Sequence, residues 1–239
     1  MERLYLEQVD STNKYCKEHI SDLKDKTLVY TFNQTSGRGR LGRKWSYVGE
    51  DNIYASIVLK PSDTMSDIYS NLTQYLCLIL AEVFEEYNVD SKIKWPNDIL
   101  INNKKISGIL AESVINKSKL EGLVIGFGIN LNCETRVLDL IDKPATALNL
   151  LTDKKIDKND FLNKILDKFC LGYNEFIEDG FLFIKEDYKK RANFLDKKIT
   201  IKVLDKTFCG IAQDITDNGA LMLIDDNNKE HIFWIGDIL

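Results

Sequence analysis

The chain has 239 residues, a net charge of −5 and a pI near 5.2, with 44% hydrophobic and 29% charged residues. That is enough for one large domain, or one domain and a small appendage, of ordinary globular composition, and its acidic balance excludes a broadly basic nucleic-acid-binding face. Five scattered cysteines (Cys16, Cys77, Cys133, Cys170, Cys209) contain no Cys-x-x-Cys pair, and there is no signal-peptide pattern and no apolar stretch long enough for a bilayer, so the expectation is a cytoplasmic protein in a reducing compartment with neither a disulfide framework nor a zinc site.

In chain order, residues 3–9 read as a short strand, and Asp10-Ser-Thr-Asn13 as a helix start with Asp10 or Ser11 as N-cap. Thr27–Phe32 reads as a strand leading into a glycine- and arginine-rich loop, and Asn52–Lys60 as a further strand. Ile68, Leu72, Leu76, Ile79, Val83 and Tyr87 recur at helical spacing, predicting a helix over 65–88. Ile93–Trp95, Ile99–Ile101, Ile106–Val114 and Leu120–Asn130 are β-branched, apolar and separated by turn residues, as strands in series. Phe161, Ile165, Phe169, Tyr173 and Phe176 predict a helix over 157–178, ended by Gly180 and followed by a second over 181–193. Lys198–Leu204, Thr207–Ile215, Ala220–Ile224 and His231–Ile235 then read as four short strands with polar turns, the pattern of a small β-barrel appendage. The expected division is 1–194 for the main domain and 195–239 for the barrel.

Arginine is used sparingly, yet three of the six arginines, Arg38, Arg40 and Arg43, fall in the run Gln34-Thr-Ser-Gly-Arg-Gly-Arg-Leu-Gly-Arg-Lys-Trp45. Guanidinium forks grip phosphate or carboxylate bidentately, and glycine lets backbone approach a ligand, so the run describes a loop that wraps an anion. Its spelling, Gly37-Arg-Gly-Arg-Leu-Gly42, matches the dinucleotide-binding fingerprint, but no helix follows to hold a pyrophosphate, and that reading is rejected. A solvated basic turn is the plain alternative. Lys94-Trp-Pro-Asn-Asp98, near Lys104 and Lys105, combines stacking, polar and cationic groups, although a Pro-Asn-Asp turn alone explains the spacing. Gly126-Phe-Gly-Ile-Asn130 ends an apolar strand, where its glycines could serve close packing only. Helix capping accounts for most of Asp10-Ser-Thr-Asn13.

Taken together, Val9-Asp-Ser-Thr-Asn13, the Gln34–Trp45 run, Lys94-Trp-Pro-Asn-Asp98, Lys105-Ile-Ser-Gly-Ile-Leu110, Gly126-x-Gly-Ile-Asn130 and Pro-Ala-Thr-Ala-Leu148 resemble the biotin protein ligases, almost end to end. The resemblance implies an α+β fold, a mixed sheet backed by helices with a small C-terminal SH3-like barrel. It implies ATP-dependent activation of biotin to biotinyl-5′-AMP, then transfer to a lysine of a biotin carboxyl carrier protein, with Mg2+. Ser11, Thr12, Asn13 and Gln34 would contact biotin. Gly37, Arg38, Gly39 and Arg40 would close over biotin and phosphate, with Gly108 nearby. Lys105 would bridge carboxylate and α-phosphate, and it and Arg40 are the expected catalytic residues. Arg43, Trp45, Asn97, Asp98 and Asn130 would form the nucleotide side, with Asp98 the candidate metal ligand and a candidate base for the acceptor lysine.

Position 41 is Leu where many relatives carry a further arginine, which thins the positive field. Repressor relatives carry an N-terminal helix-turn-helix domain that the residues before Asp10 cannot hold, so no DNA partner is expected, and no membrane. A homodimer through sheet edges stays open beside a monomer. Lipoate ligase is the nearest alternative function, and a vitamin or nucleotide sensor the non-enzymatic one; Lys105 together with the arginine loop argues against mere binding. Glycines 37, 39 and 42 predict a loop that is mobile when empty.

Overall fold

A computed structural model describes residues 1–61 and 68–239. The strands are β1 (Glu2–Tyr5), β2 (Thr27–Thr31), β3 (Gly37–Arg38), β4 (Lys44–Trp45), β5 (Ile53–Leu59), β6 (Lys92–Lys94), β7 (Asp98–Ile101), β8 (Lys104–Asn116), β9 (Lys119–Ile129), β10 (Lys198–Val203), β11 (Lys206–Ile215), β12 (Leu221–Asp225), β13 (Glu230–Phe233) and β14 (Asp237–Ile238). The helices are α1 (Thr12–Glu18), α2 (Leu72–Glu85), α3 (Thr135–Leu138), α4 (Asn149–Thr152), α5 (Lys158–Asp179) and α6 (Lys185–Arg191). The expected helix over 65–88 is a 3-10 turn at Ile68–Asn71 followed by α2, and residues 65–67 lie outside the described residues. Strands β3 and β4, the turns between them and the short helices α3 and α4 are too brief for periodicity to reveal.

Seven strands form one mixed sheet in the order β1-β2-β5-β9-β8-β7-β6. Only β1 and β2 run parallel; the other neighbours are antiparallel. The register explains the two faces. Ile53, Ala55, Ile57 and Leu59 of β5 alternate with Tyr54, Ser56 and Val58, and β9 does the same with Ile125, Phe127 and Ile129 against Val124, Gly126 and Gly128. The first set meets α2 and α5 in the main core. Helix α2 is apolar nearly all round because it lies between the sheet and α5. Helix α5 buries Phe161, Ile165, Phe169 and Phe176 along one stripe. Asp157 caps it by accepting from the Asn159 and Asp160 amides at 2.8 and 3.0 Å, and Gly180 ends it at φ 64°.

The second face is covered at one end by α1 and the turn after it, through Cys16 and Ile20 on Val29, Val58 and Val124. At its other end the same face carries Ser56, Gly108, Gly126 and Gly128, small residues that leave a concavity.

The C-terminal strands form a five-stranded antiparallel sheet, order β13-β12-β11-β10-β14. This corrects one detail of the expected SH3-like barrel: the ladder does not close. The fifth strand, β14, is only two residues long and pairs with β10 alone. Ile199, Ile201, Leu221, Leu223 and Ile238 nonetheless belong to the same apolar core as α2 and the large sheet. Asn71 and Gln74 fasten the turn between β11 and β12 by donating to the Asn218 and Gly219 carbonyls, each at 2.9 Å. Among the described residues no helix is long and apolar enough to cross a membrane.

Candidate active site

The concavity opens into a cleft of about 1010 Å³. Of the residues selected from sequence, Ser11, Thr12, Asn13, Gln34, Arg38, Gly39, Arg40, Arg43, Trp45, Asn97, Asp98, Lys105, Gly108 and Asn130 all line it. Gly37 does not. It is buried beneath the others, where a Cβ would lie 2.8 Å from the Trp45 carbonyl oxygen and 2.9 Å from the Gln34 amide.

At one end is a polar pocket. Ser11 caps α1, accepting from the Lys14 amide at 3.4 Å. The bridge between Val9 and Gln34 brings the Gln34 side chain to this helix start, where it accepts from the Thr12 amide at 2.9 Å. Ser56 Oγ donates to Asn13 Oδ1 at 2.6 Å and lies 2.7 Å from Thr12 Oγ1. Asn13 Nδ2 donates to the Leu110 carbonyl at 3.1 Å and to Glu112 at 2.9 Å, and Glu112 also pairs with Lys17. Burial opposes ionisation of Glu112, but the bonds from Lys17 and Asn13 outweigh it and hold the carboxyl below its ordinary value. A Cβ on Gly126 would collide with the Asn13 amide, so the glycine is what admits this side chain.

At the middle stands Lys105. A bulge places Ile99 opposite Ser107 but Leu100 opposite Lys105. Strict alternation is lost, so Ile106 and Ser107 are both buried while Lys105 and Gly108 reach the cleft. The backbone of Lys105 is clamped by Pro144 and Thr146 on its free edge, with hydrogen bonds of 2.9 Å each way. Its Nζ is 2.6 Å from Asp98 Oδ1 and 5.3 Å from the centre of the Trp45 ring. That ring packs against Gly128 and Gly108, and any side chain at Gly128 would strike it.

At the far end are Arg40 and Arg43. Arg40 donates to Asn97 Oδ1 at 3.0 Å and to the Gly236 carbonyl at 2.9 Å, and pairs with Asp237 at 3.1 Å. Arg43 pairs with the second oxygen of Asp237. Asn97 in turn donates to the Ile109 carbonyl at 2.7 Å, and Asn130 to that of Thr146 at 3.1 Å. Burial pulls both Arg40 and the half-buried Lys94 below their ordinary values, while Asp98 works the other way. The cleft therefore concentrates cations on an acidic protein, partly desolvated and suited to an anionic ligand.

Several residues that line the cleft, or like the fully buried Ser56 brace it from behind, were not selected from sequence. Ser56 carried a signal, a lone hydroxyl on the inner face of an apolar strand. The Pro144–Leu148 stretch matched the family but had no assigned role; it is the clamp on Lys105. Lys94 sits inside a selected motif. Asp237 carried no signal, because it reaches the cleft through tertiary contacts only.

This geometry agrees with what the chain resembles. Residues 5–130 match the "Biotin/lipoate A/B protein ligase family" and residues 194–239 the "Biotin protein ligase C terminal domain". The "Bifunctional ligase/repressor BirA" of Bacillus subtilis is 32% identical over 237 residues, covering 96% of this chain and 71% of that protein. The "Biotin--[acetyl-CoA-carboxylase] ligase" of Paracoccus denitrificans is 28% identical, covering 91% and 92% respectively. Among solved structures, the Aquifex aeolicus biotin protein ligase "in complex with biotin and ATP" superposes with a TM-score of 0.85 at 27% identity, over all of this chain and 97% of that one. The chain belongs to the biotin/lipoate A/B protein ligase family and, within it, to the biotin protein ligases.

Proposed function

We propose that the protein joins biotin to a lysine of a biotin carboxyl carrier protein, such as that of acetyl-CoA carboxylase, in two steps. A carboxylate oxygen of biotin attacks the α-phosphorus of ATP, and the bond to pyrophosphate breaks. The carrier's amine then attacks the acyl carbon of the mixed anhydride, loses a proton, and AMP leaves. The observation that carries this reading is the position of Lys105, between a neutral hydrogen-bonding pocket and a pair of arginines, in a cleft of this family.

The first step needs no general base, because the carboxylate is ionised at neutral pH; its obstacle is repulsion between two anions. Lys105 would hold both, Arg40 would shield the phosphate, and each would be worth most where water is excluded. The polar pocket of Ser11, Thr12, Asn13 and Gln34 would take the ring end of biotin, with Arg38 and Gly39 of the arginine loop closing over it as a lid, Gly37 buried behind them and Gly108 beneath. Trp45, Arg43, Asn97 and Asn130 would take the nucleotide. Asp98, which shares the cleft with Asp142 and Asp237 and lies 2.6 Å from Lys105, would be the candidate to receive the acceptor lysine's proton.

Among the described residues no group of three or more acidic, His or Cys side chains converges as a metal cage. One carboxylate, Asp98, fits Mg2+ all the same, since that ion keeps several waters and takes other ligands from phosphates. Bound there with ATP, it would neutralise charge on the phosphate oxygens.

Incubation with ATP and either biotin or lipoate, following pyrophosphate release, tests the reading. Release with biotin alone is expected; release with lipoate alone would make the protein a lipoate ligase, and release with neither would leave a sensor.

A further inference from the structure

The arginine loop has little of its own to hold it. Arg38, Leu41, Gly42, Arg43 and Lys44 are exposed, and Leu41 and Gly42 turn through positive φ at 54° and 73°. Its local ties are the two-residue pairing of β3 with β4 and two turn hydrogen bonds, from the Gly39 amide to the Arg43 carbonyl and from the Arg43 amide to the Arg40 carbonyl. Besides the Asn97 side chain, which accepts from Arg40 at 3.0 Å, the guanidiniums of Arg40 and Arg43 are held by the opposite end of the chain. Gly236, 196 residues from Arg40, accepts from one of its nitrogens; Asp237 meets Arg40 through one oxygen and Arg43 through the other.

We propose that Asp237 is a positioning residue for adenylate formation and retention, the counterion that sets Arg40 and Arg43 side by side at the phosphate end of the cleft. This rests on the reading of the cleft given above. Two guanidiniums aimed at one site repel each other, and a shared carboxylate removes that repulsion while leaving a net positive charge for the phosphate. The carboxylate is itself rigidly placed: Asp237 and Ile238 pair with Lys202 and Ile201, the Leu239 amide donates to the Thr200 carbonyl at 2.9 Å, and Ile238 is buried. Because backbone bonds and Ile238 fasten this strand, its attachment does not need the Asp237 side chain. Side chains of Asp237 and Arg40 are only 19% and 21% exposed, so their charges are screened less than those of a surface pair. The C-terminal sheet thereby becomes part of the active site without touching the reacting atoms.

The test uses the full chain, with Asp237→Ala, Asp237→Glu, Arg40→Ala/Arg43→Ala and the triple variant. ATP–pyrophosphate exchange, retention of labelled biotinyl-AMP, the KM for biotin and thermal unfolding are measured for each. Asp237→Ala should raise the KM for ATP and the adenylate release rate, by up to about a hundredfold, the scale on which misplaced groups act. The KM for biotin should stay within about twofold, the unfolding temperature should hardly move, and Asp237→Glu should recover most of the loss. In the Arg40→Ala/Arg43→Ala background, Asp237→Ala should add nothing, since its effect runs through those arginines. Wild-type exchange and retention in Asp237→Ala would overturn the proposal. So would an undiminished effect without the arginines, or a loss that merely tracks lowered stability. If the double arginine variant itself forms and keeps adenylate normally, the reading of the cleft falls, and this proposal with it.

Discussion

In the polar pocket, Asn13 satisfies its amide on Ser56, Leu110 and Glu112, groups carried by β5 and β8 in the middle of the large sheet. In the arginine loop, Arg40 reaches out to Asn97 on one side and Gly236 and Asp237 on the other. The first region is a closed network of short neutral bonds with Glu112 at its edge. The second is an exposed turn held by charge and by distant chain. The contrast teaches how one cleft serves two ligands: a ring with fixed donors and acceptors wants a preformed mould, whereas a phosphate wants cations whose hold can be remade as bonds form and break.

Lys105 stands between the two regions, and its loss should be the most severe. Lys105→Ala is expected to cut biotinyl-AMP formation by roughly two to three orders of magnitude, the scale for a key electrostatic group, while circular dichroism stays native. Near-normal adenylation would remove Lys105 from the centre of the site.

Arg40→Gly sharpens the comparison from the loop side. Labelled adenylate should dissociate faster, by about tenfold or more, because a half-buried cation and its packing are gone. The affinity for biotin alone should suffer less. Unchanged release would mean the loop does not act as a lid.

Ser56→Ala probes the mould. It leaves a buried acceptor on Asn13 or Thr12 without its donor, a cost of about 1–3 kcal/mol. Thermal unfolding should fall and the KM for biotin rise, with the KM for ATP little changed. If both substrates were affected alike, the two regions would not be separate.

The smallest effect concerns acid stability. The Glu112 carboxyl titrates below its ordinary value of 4.5 in the folded protein. Its stabilisation is therefore present above that value and is lost as the pH falls through the lower, folded one. Glu112→Gln should flatten the stability curve on the acid side of 4.5, and chemical unfolding measured across that range would show it. An acid limb of unchanged slope would mean that the network does not depend on the Glu112 charge.

Much of this molecule was legible along the chain. Strand and helix periodicities located the main elements, because a two-sided sheet and an amphipathic α5 write burial directly into spacing. The Ser11–Asn13 cap, the arginine run, the Trp-Pro-Asn-Asp turn and Lys105 are contiguous motifs, and they do share a cleft. What the sequence by itself determined, then, is the identity of the chemical groups and the elements that carry them. The tertiary structure alone decided how they are held. Glycines 108, 126 and 128 become a floor only when register aligns them across β8 and β9 beneath Trp45 and Asn13. Ser56 becomes a donor only when α1 settles over β5. Asp237 looks like any terminal acid until β14 docks beside β10 and delivers it to two arginines nearly two hundred residues earlier. Contacts of that kind leave no local period or motif, since nothing near them in sequence has to change for them to form.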